Sequence, residues 1–132
     1  MIKTDYLIKP CLYIAHTPSM GRGVFTSAQL AGNIIIEISP VIVMSHEERK
    51  FLDQTLLHDY IFEWGSDQQQ CCMALGYIAV YNHSYQSNCE YQMDFDERLI
   101  TIKTVRDILA GEELFINYNG NWNDEKKVWF DE

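Results

Sequence analysis

Turn-forming residues divide this chain into short segments, and this division constrains its fold more than any other feature. Clusters of Gly, Pro, Ser, Asn and Asp separate runs of alternating or β-branched apolar residues that are too short for long helices. Many short strands with frequent turns are typical of a mainly β protein. The predicted strands are Leu7–Ala15, Val24–Thr26, Asn33–Ile38, Pro40–Met44, Tyr60–Trp64, Glu90–Asp94, Leu99–Val105 and Glu113–Tyr118.

One segment has the pattern of a short helix. Ser45 is suited to the N-cap, and Glu48 three residues later completes a capping box. The helix should run to about Leu57. Its predicted apolar face consists of Phe51, Leu52 and Thr55 or Leu56.

The size and charge of the chain limit what it can bind. Its 132 residues, 47% of them hydrophobic, fit one domain with a real core, for which dimerisation would be an unsurprising aid. The net charge of −9, from 10 basic and 19 acidic residues, disfavours nucleic acid and anionic membranes. A basic protein partner suits this field, although acidity also serves solubility alone.

The cysteines do not predict a metal site. Cys11, Cys71, Cys72 and Cys89 form no C-x-x-C pair, and two adjacent cysteines cannot easily bind one ion. The N-terminal segment lacks the features of a signal peptide, and no apolar run is long enough for a membrane span. The sequence therefore predicts reduced thiols and an intracellular location, without separating cytoplasm from nucleus.

Three motifs give the first indication of chemistry. Residues 20–25 read Met-Gly-Arg-Gly-Val-Phe, residues 82–88 read Asn-His-Ser-Tyr-Gln-Ser-Asn, and residues 106–118 read Arg-Asp-Ile-Leu-Ala-Gly-Glu-Glu-Leu-Phe-Ile-Asn-Tyr. In this order they resemble the SET-domain family of protein lysine methyltransferases, over about residues 7–120. The chain is most similar to the short stand-alone SET proteins of viruses and bacteria, because it lacks flanking zinc-binding cysteine segments.

The resemblance implies a fold and a reaction. The expected fold is the SET-domain β-clip, with several short sheets, one short helix and a knot-like threading of the C-terminal segment. Residues 1–132 would form a single SET domain with a core of about 7–120 and a tail at 121–132. The implied activity is methyl transfer from S-adenosylmethionine to a lysine of a protein, a histone tail being one candidate.

The resemblance also implies a cofactor site. Gly21 and Gly23 allow the backbone to approach a ligand closely, and exposed N–H groups on such a turn can hold a carboxylate. Arg22 would lie beside the carboxylate of the cofactor. Asn82 and His83 would contact its amino group and adenine, with His83 acting largely through its backbone. Each residue also has an ordinary structural interpretation, as a turn or a core side chain.

Tyr118 corresponds to the catalytic tyrosine of the family. Its hydroxyl would orient the methyl group and the amine through weak C–H···O contacts, with no metal ion involved. Trp122 or Trp129, in the tail, would stack on the adenine or shield the sulfonium.

Three residues correspond to the walls of the lysine channel: Tyr60, Tyr91 and Ile116. Tyr91 matches a tyrosine that limits methylation in some members of the family. Ile116 stands where many members have an aromatic residue that sets the number of methyl groups, so Tyr91 should carry more of this control. Plain core packing is the alternative for each.

A different class of function also fits the fold. A SET domain that has lost catalysis could act as a binding module for a partner protein. The complete set formed by Gly21, Gly23, Asn82, His83 and Tyr118 argues against such decay.

Overall fold

A computed structural model describes residues 5–120 and 122–128 of the chain. Within these residues the fold is mainly β, as the sequence predicts, with one α-helix and two short 3-10 helices, Leu56–Asp59 and Ile78–Val80. The regular elements are β1 (Leu7–Ile8), β2 (Leu12–His16), β3 (Arg22–Thr26), β4 (Ile35–Met44), α1 (His46–Leu52), β5 (Phe62–Trp64), β6 (Gln70–Ala74), β7 (Asn82–His83), β8 (Cys89–Asp94), β9 (Leu99–Thr104) and β10 (Glu113–Ile116).

The strands form two sheets around one core. The larger sheet has the order β5-β6-β4-β9-β8, with β1 added against β4, and the smaller has the order β2-β3-β10-β7. All pairs are antiparallel except β10 with β7. The core between the sheets contains fully buried aliphatic side chains from both, among them Val24, Ile36, Ile100, Ile102 and Leu114.

The chain is divided into strands differently from the prediction in two places, and several other strands begin or end one or two residues from their predicted bounds. The segment Leu7–Ala15 is two strands, because the chain turns at Pro10 and the N–H of Leu12 bonds to the carbonyl of Lys9. Conversely, the segments predicted on either side of Ser39 form the single strand β4. This strand pairs with β9 up to Pro40 and with β6 from Val41, so the missing N–H of proline falls where β4 changes partner.

The predicted helix is shorter and more exposed than expected. The capping box of Ser45 and Glu48 is present, but α1 ends at Leu52, and Thr55 caps the separate 3-10 helix that follows. The side chains of Phe51 and Leu56 are 74% and 75% exposed, so the predicted apolar face does not pack on the core.

Two strands were not predicted. Gln70–Ala74 lies inside the larger sheet as β6, and Asn82–His83 forms the parallel strand β7 at the edge of the smaller one. None of the helices in the described segments is long and apolar enough for a membrane span. All four cysteines lie in these segments and are free thiols.

Candidate active site

The three sequence motifs meet in the smaller sheet. Strand β10 lies between β3 and β7, so Glu113 is paired with Phe25 and Phe115 with Asn82. The short parallel strand β7 thus places Asn82 and His83 beside the strand that leads into Tyr118. Residues that are about 60 and 30 positions apart in the chain become neighbours through this sheet order.

Asn82 is held in a fixed orientation. Its side-chain Nδ2 donates to the carbonyl of Arg22 over 3.1 Å and to Oε2 of Glu113 over 2.8 Å. An amide has two hydrogens on nitrogen and acceptor sites on oxygen. Both hydrogens are used, so Oδ1 is left as the acceptor that this side chain offers.

The two glycines of the first motif have different roles. Gly21 has a φ of +68°, which favours glycine, and a Cβ there would meet nothing within 4 Å. At Gly23 a Cβ would lie 2.9 Å from Nδ2 of Asn82 and would also collide with the carboxylate of Glu113. Gly21 therefore shapes an open turn, whereas Gly23 makes room for the pair formed by Asn82 and Glu113.

His83 positions the backbone of Tyr118 through its side chain. The N–H of Tyr118 donates to Nδ1 of His83 over 3.0 Å, and the two rings lie 5.1 Å apart. Accepting at Nδ1 requires the neutral imidazole. The ring of Tyr85 packs edge-on against His83 at 4.4 Å. The resemblance suggested a backbone role for His83, and the structure adds this side-chain role.

The Tyr118 hydroxyl is aimed at a main-chain carbonyl. It donates to the carbonyl oxygen of Tyr81 over 2.8 Å. Burial, together with the nearby Tyr60, raises the pKa of Tyr118 to about 12. The phenol therefore stays protonated at neutral pH and can keep this bond.

A cavity of about 340 Å³ opens beside Tyr118. Its aromatic wall consists of Tyr60, Phe62, Tyr81, Tyr91, Phe95 and Tyr118, joined by Asn119 and Gly120. Burial raises the pKa of Tyr91 to about 12, and its hydroxyl donates to the carbonyl of Tyr118 over 3.4 Å. The structure thus brings the predicted channel residues Tyr60 and Tyr91 to the catalytic candidate.

The acidic side chains at this cavity outnumber the basic ones. Asp53, Asp59 and Glu63 line it together with Arg49 and His58. Arg49 lies 3.7 Å from Asp53, and His58 lies 3.0 Å from the same carboxyl group. Asp59 and Glu63 are therefore left to give the cavity a negative potential.

The predicted channel residue Ile116 does not line the cavity, and neither do the predicted cofactor residues Gly21, Arg22, Gly23, Asn82, His83 and Trp122. Ile116 is fully buried in the core, because β10 directs Leu114 and Ile116 to the same inner face. The side chain of Trp122 is 39% exposed, and its carbonyl accepts hydrogen bonds from the N–H and the hydroxyl of Ser87. Trp129 lies outside the described residues.

The described part of the C-terminal tail is hydrogen-bonded to residues of the second motif. Besides Trp122 on Ser87, the N–H of Val128 donates to the hydroxyl of Tyr85 over 3.2 Å. Nδ2 of Asn117 donates to the carbonyl of Asp124 over 2.7 Å. Residues 122–128 thus lie against the loop after β7, and the knot-like threading of the chain stays a prediction.

Glu37 stabilises the site through Tyr81, and the sequence did not predict this role. Its side chain is fully buried in β4 and accepts from the hydroxyl of Ser39, the N–H of Tyr77 and the hydroxyl of Tyr81, over 2.7, 2.8 and 3.0 Å. Desolvation raises the pKa of Glu37, against the opposing effect of these donors. Glu37 thereby fixes Tyr81, whose carbonyl receives the Tyr118 hydroxyl. The only sequence signal was a charge within an apolar, β-branched run.

Asn88 joins the second motif to the third. Its Nδ2 donates to the carbonyl of Glu113 over 2.9 Å, and its Oδ1 accepts from the N–H of Phe115 over 2.7 Å. The side chain is 2% exposed, so these bonds are shielded from water. The Asn88 side chain therefore makes the two hydrogen bonds with the main chain of β10 that a neighbouring strand would otherwise make.

The fold and the site together define the class of protein. A family model of the SET domain matches residues 21–119, which include the three motifs apart from Met20. The chain belongs to the SET-domain family of protein lysine methyltransferases. In the described segments no group of three His, Cys, Asp or Glu side chains could hold a metal ion.

Individual relatives support this assignment. A Schizosaccharomyces pombe protein named histone-lysine N-methyltransferase, H3 lysine-37 specific, is 32% identical over 127 residues, which cover 96% of this chain and 81% of the relative. A crystal structure of a Plasmodium falciparum protein, provisionally named a histone methyltransferase, is 28% identical. It has a TM-score of 0.65 and covers 87% of this chain and 98% of its own.

A third relative shows the fold alone. A structure of the Polycomb Repressive Complex 2 of Chaetomium thermophilum, bound to S-adenosylmethionine, has a TM-score of 0.71 at 19% identity. The match covers 87% of this chain and 16% of that one. The same β architecture is therefore shared with a far larger protein.

Proposed function

We propose that this chain transfers a methyl group from S-adenosylmethionine to the ε-amine of a lysine in a basic protein, a histone tail being the first candidate. One observation carries the proposal. Tyr118 is held by its N–H on His83, next to Asn82, and by its hydroxyl on the carbonyl of Tyr81, at the cavity wall. A single residue thus joins the cavity to the glycine-motif cluster, which consists of Gly21, Gly23 and Asn82.

The glycine-motif cluster suits the amino-acid end of the cofactor. The turn at Gly21 has open space beside it, so backbone N–H groups can reach a carboxylate. Oδ1 of Asn82 is an acceptor for an ammonium group. When bound, S-adenosylmethionine supplies an electrophilic methyl group on a positively charged sulfur.

The cavity suits the lysine. A free lysine has a pKa near ~10.4, and an apolar environment favours its neutral, nucleophilic form. The same burial that raises the pKa of Tyr91 and Tyr118 to about 12 disfavours an ammonium ion there. The tyrosine oxygens and the Tyr81 carbonyl can then align the amine.

The acidic surface favours a basic substrate. Asp59 and Glu63 lie at the cavity, and the whole chain carries a net charge of −9. Histone tails are rich in lysine and arginine, and the Schizosaccharomyces pombe relative is named for lysine 37 of histone H3. A histone substrate would place the protein inside the cell, in the nucleus or in the cytoplasm.

A radiolabelled methyl-transfer assay tests the substrate class. The protein is incubated with labelled S-adenosylmethionine and either core histones or a lysate of the source cell. We expect label on histone H3, with mass spectrometry locating the lysine. Label on another protein of the lysate would keep the reaction and replace the substrate. A folded protein that labels nothing would favour the inactive binding module.

A further inference from the structure

Glu113 is an acidic residue beside the glycine-motif cluster, and no cation of the described residues forms a salt bridge with it. Its Oε2 accepts from Nδ2 of Asn82 over 2.8 Å, and its side chain is half-buried on the face of the sheet next to Gly23. The salt bridges of the described segments involve Arg49, His58 and Arg106, and none reaches Glu113. A half-buried carboxylate beside an open turn attracts a positively charged ligand.

The neighbouring groups leave that carboxylate accessible to a ligand. Gly21 and Arg22 are exposed, and no atom lies within 4 Å of the Cβ position at Gly21. Because both Nδ2 hydrogens of Asn82 are used, its Oδ1 is left as a second acceptor in the same cluster. One charged and one neutral acceptor beside an open turn form a site for a small cationic group.

We propose that Glu113 is a cofactor-binding residue that supplies the negative charge for the α-ammonium group of S-adenosylmethionine. The inference rests on the proposed function and adds a residue to its cofactor site. In this arrangement Glu113 has two effects. It directs the Asn82 amide so that Oδ1 can accept, and its own carboxylate attracts the ammonium group. Gly23 is required because any side chain there would displace this pair.

Binding measurements with two matched ligands test the assignment. S-adenosylhomocysteine carries the α-amino group, and its deamino analogue has hydrogen in that place. We expect Glu113→Gln to raise the Kd for S-adenosylhomocysteine roughly 10- to 100-fold, the range for a hydrogen bond to a charged group. The Kd for the deamino analogue should change by less than about twofold, since that ligand makes no such bond. Isothermal titration calorimetry measures both constants without turnover.

Glutamine is a suitable replacement because it removes the negative charge and keeps the shape of the side chain. Its Oε1 can still accept from Asn82, so a purely structural role of Glu113 would survive the change. The matched control is Glu112→Gln, the next residue along the chain. The Glu112 carboxylate caps the turn at Leu109 over 2.6 Å and lies 3.9 Å from Arg106. This control should leave both Kd values unchanged.

The outcomes separate the inference from the proposed function. Equal weakening of both ligands by Glu113→Gln, or no weakening of either, would overturn the role of Glu113 while leaving the cofactor site in place. A folded wild type that binds neither ligand would overturn the proposed function and the inference with it. If Glu113→Gln does not fold, Glu113→Asp keeps the charge but withdraws it by one methylene, and the same selective loss is expected.

Discussion

At the scale of single residues, the site depends on hydrogen bonds between a few polar side chains and the main chain. The Tyr118 hydroxyl donates to the carbonyl of Tyr81, and the Tyr118 N–H donates to Nδ1 of His83. The Tyr81 hydroxyl in turn donates to Glu37. The bond between Tyr81 and Glu37 is buried and the two bonds of Tyr118 are partly buried, which strengthens them relative to bonds in water. Two residue-scale predictions follow from this arrangement.

The first concerns the number of methyl groups added. The Tyr91 hydroxyl lies at the cavity wall and donates to the Tyr118 carbonyl over 3.4 Å. Tyr91→Phe removes this oxygen and widens the space around the amine, so we expect a higher methylation state to accumulate. Mass spectrometry of the product peptide counts the methyl groups. A product distribution identical to that of the wild type would place the control elsewhere.

The second concerns the pH dependence of stability. Burial raises the folded-state pKa of Glu37 above its ordinary value of 4.5, so the folded protein holds this proton more tightly than the unfolded chain does. The contribution of Glu37 to the free energy of unfolding is therefore fully present below pH 4.5 and is lost as the pH rises through the folded pKa.

Glu37→Gln removes that titration. The free energy of unfolding of the wild type, minus that of the variant, should fall as the pH rises from about 4 and then become level. Urea denaturation across this range measures both. A difference that stays constant or increases with pH would contradict the assignment.

At the scale of elements, the sequence predicted whether a segment is a strand or a helix better than it predicted where that element begins and ends. The capping box at Ser45 gave the start of α1 correctly because capping is a local interaction. The helix end was misplaced because the apolar side chains of Phe51 and Leu56 implied a buried face, whereas both are exposed. Periodicity records hydrophobicity and does not say which tertiary partner is available.

The two missed strands have similar explanations. Strand β7 has only two residues, Asn82 and His83, and exists because β10 lies alongside it. Strand β6 is stabilised by its partners β4 and β5 on either side. For the site, the resemblance predicted Tyr118, Asn82 and the two glycines, and these roles stay predictions. Glu37 and Glu113 acquire their roles from contacts with residues 31 to 44 positions away, which one sequence does not display.

The exposed helix gives an element-scale prediction. No residue of α1 is buried, so its stability depends on its cap rather than on packing. Ser45→Ala should cost about 1 kcal/mol locally, which corresponds to roughly fivefold faster amide hydrogen exchange in α1. The amides of β9 in the same sample are the control and should not change. An equal increase of the exchange rate in α1 and β9 would show that the opening of α1 is coupled to that of the core.

At the scale of the whole molecule, the charge distribution should govern substrate association. A net charge of −9, together with Asp59 and Glu63 at the cavity, attracts a basic peptide over distances comparable with the Debye length. The KM for a histone-tail peptide should therefore rise severalfold as salt is increased from about 0.05 to about 0.5 M.

Two comparisons control this salt dependence. The Kd for S-adenosylhomocysteine, which has no net charge, should change much less over the same range. The paired variant Asp59→Asn with Glu63→Gln should weaken the dependence of KM on salt. A KM that does not respond to salt would indicate that the acidity of the surface serves solubility alone.

The central claim is that Tyr118 joins a cofactor site to a lysine channel, and one variant tests it most directly. Tyr118→Phe removes the hydroxyl that donates to the Tyr81 carbonyl and leaves the bond of its N–H to His83 intact. We predict that label transfer from S-adenosylmethionine to lysine falls roughly 100-fold, as misalignment of reacting groups can cause. The Kd for S-adenosylhomocysteine should stay as in the wild type, and the melting temperature should fall by only a few degrees, as expected for the loss of one hydrogen bond. A variant that methylates at close to the wild-type rate would contradict the account.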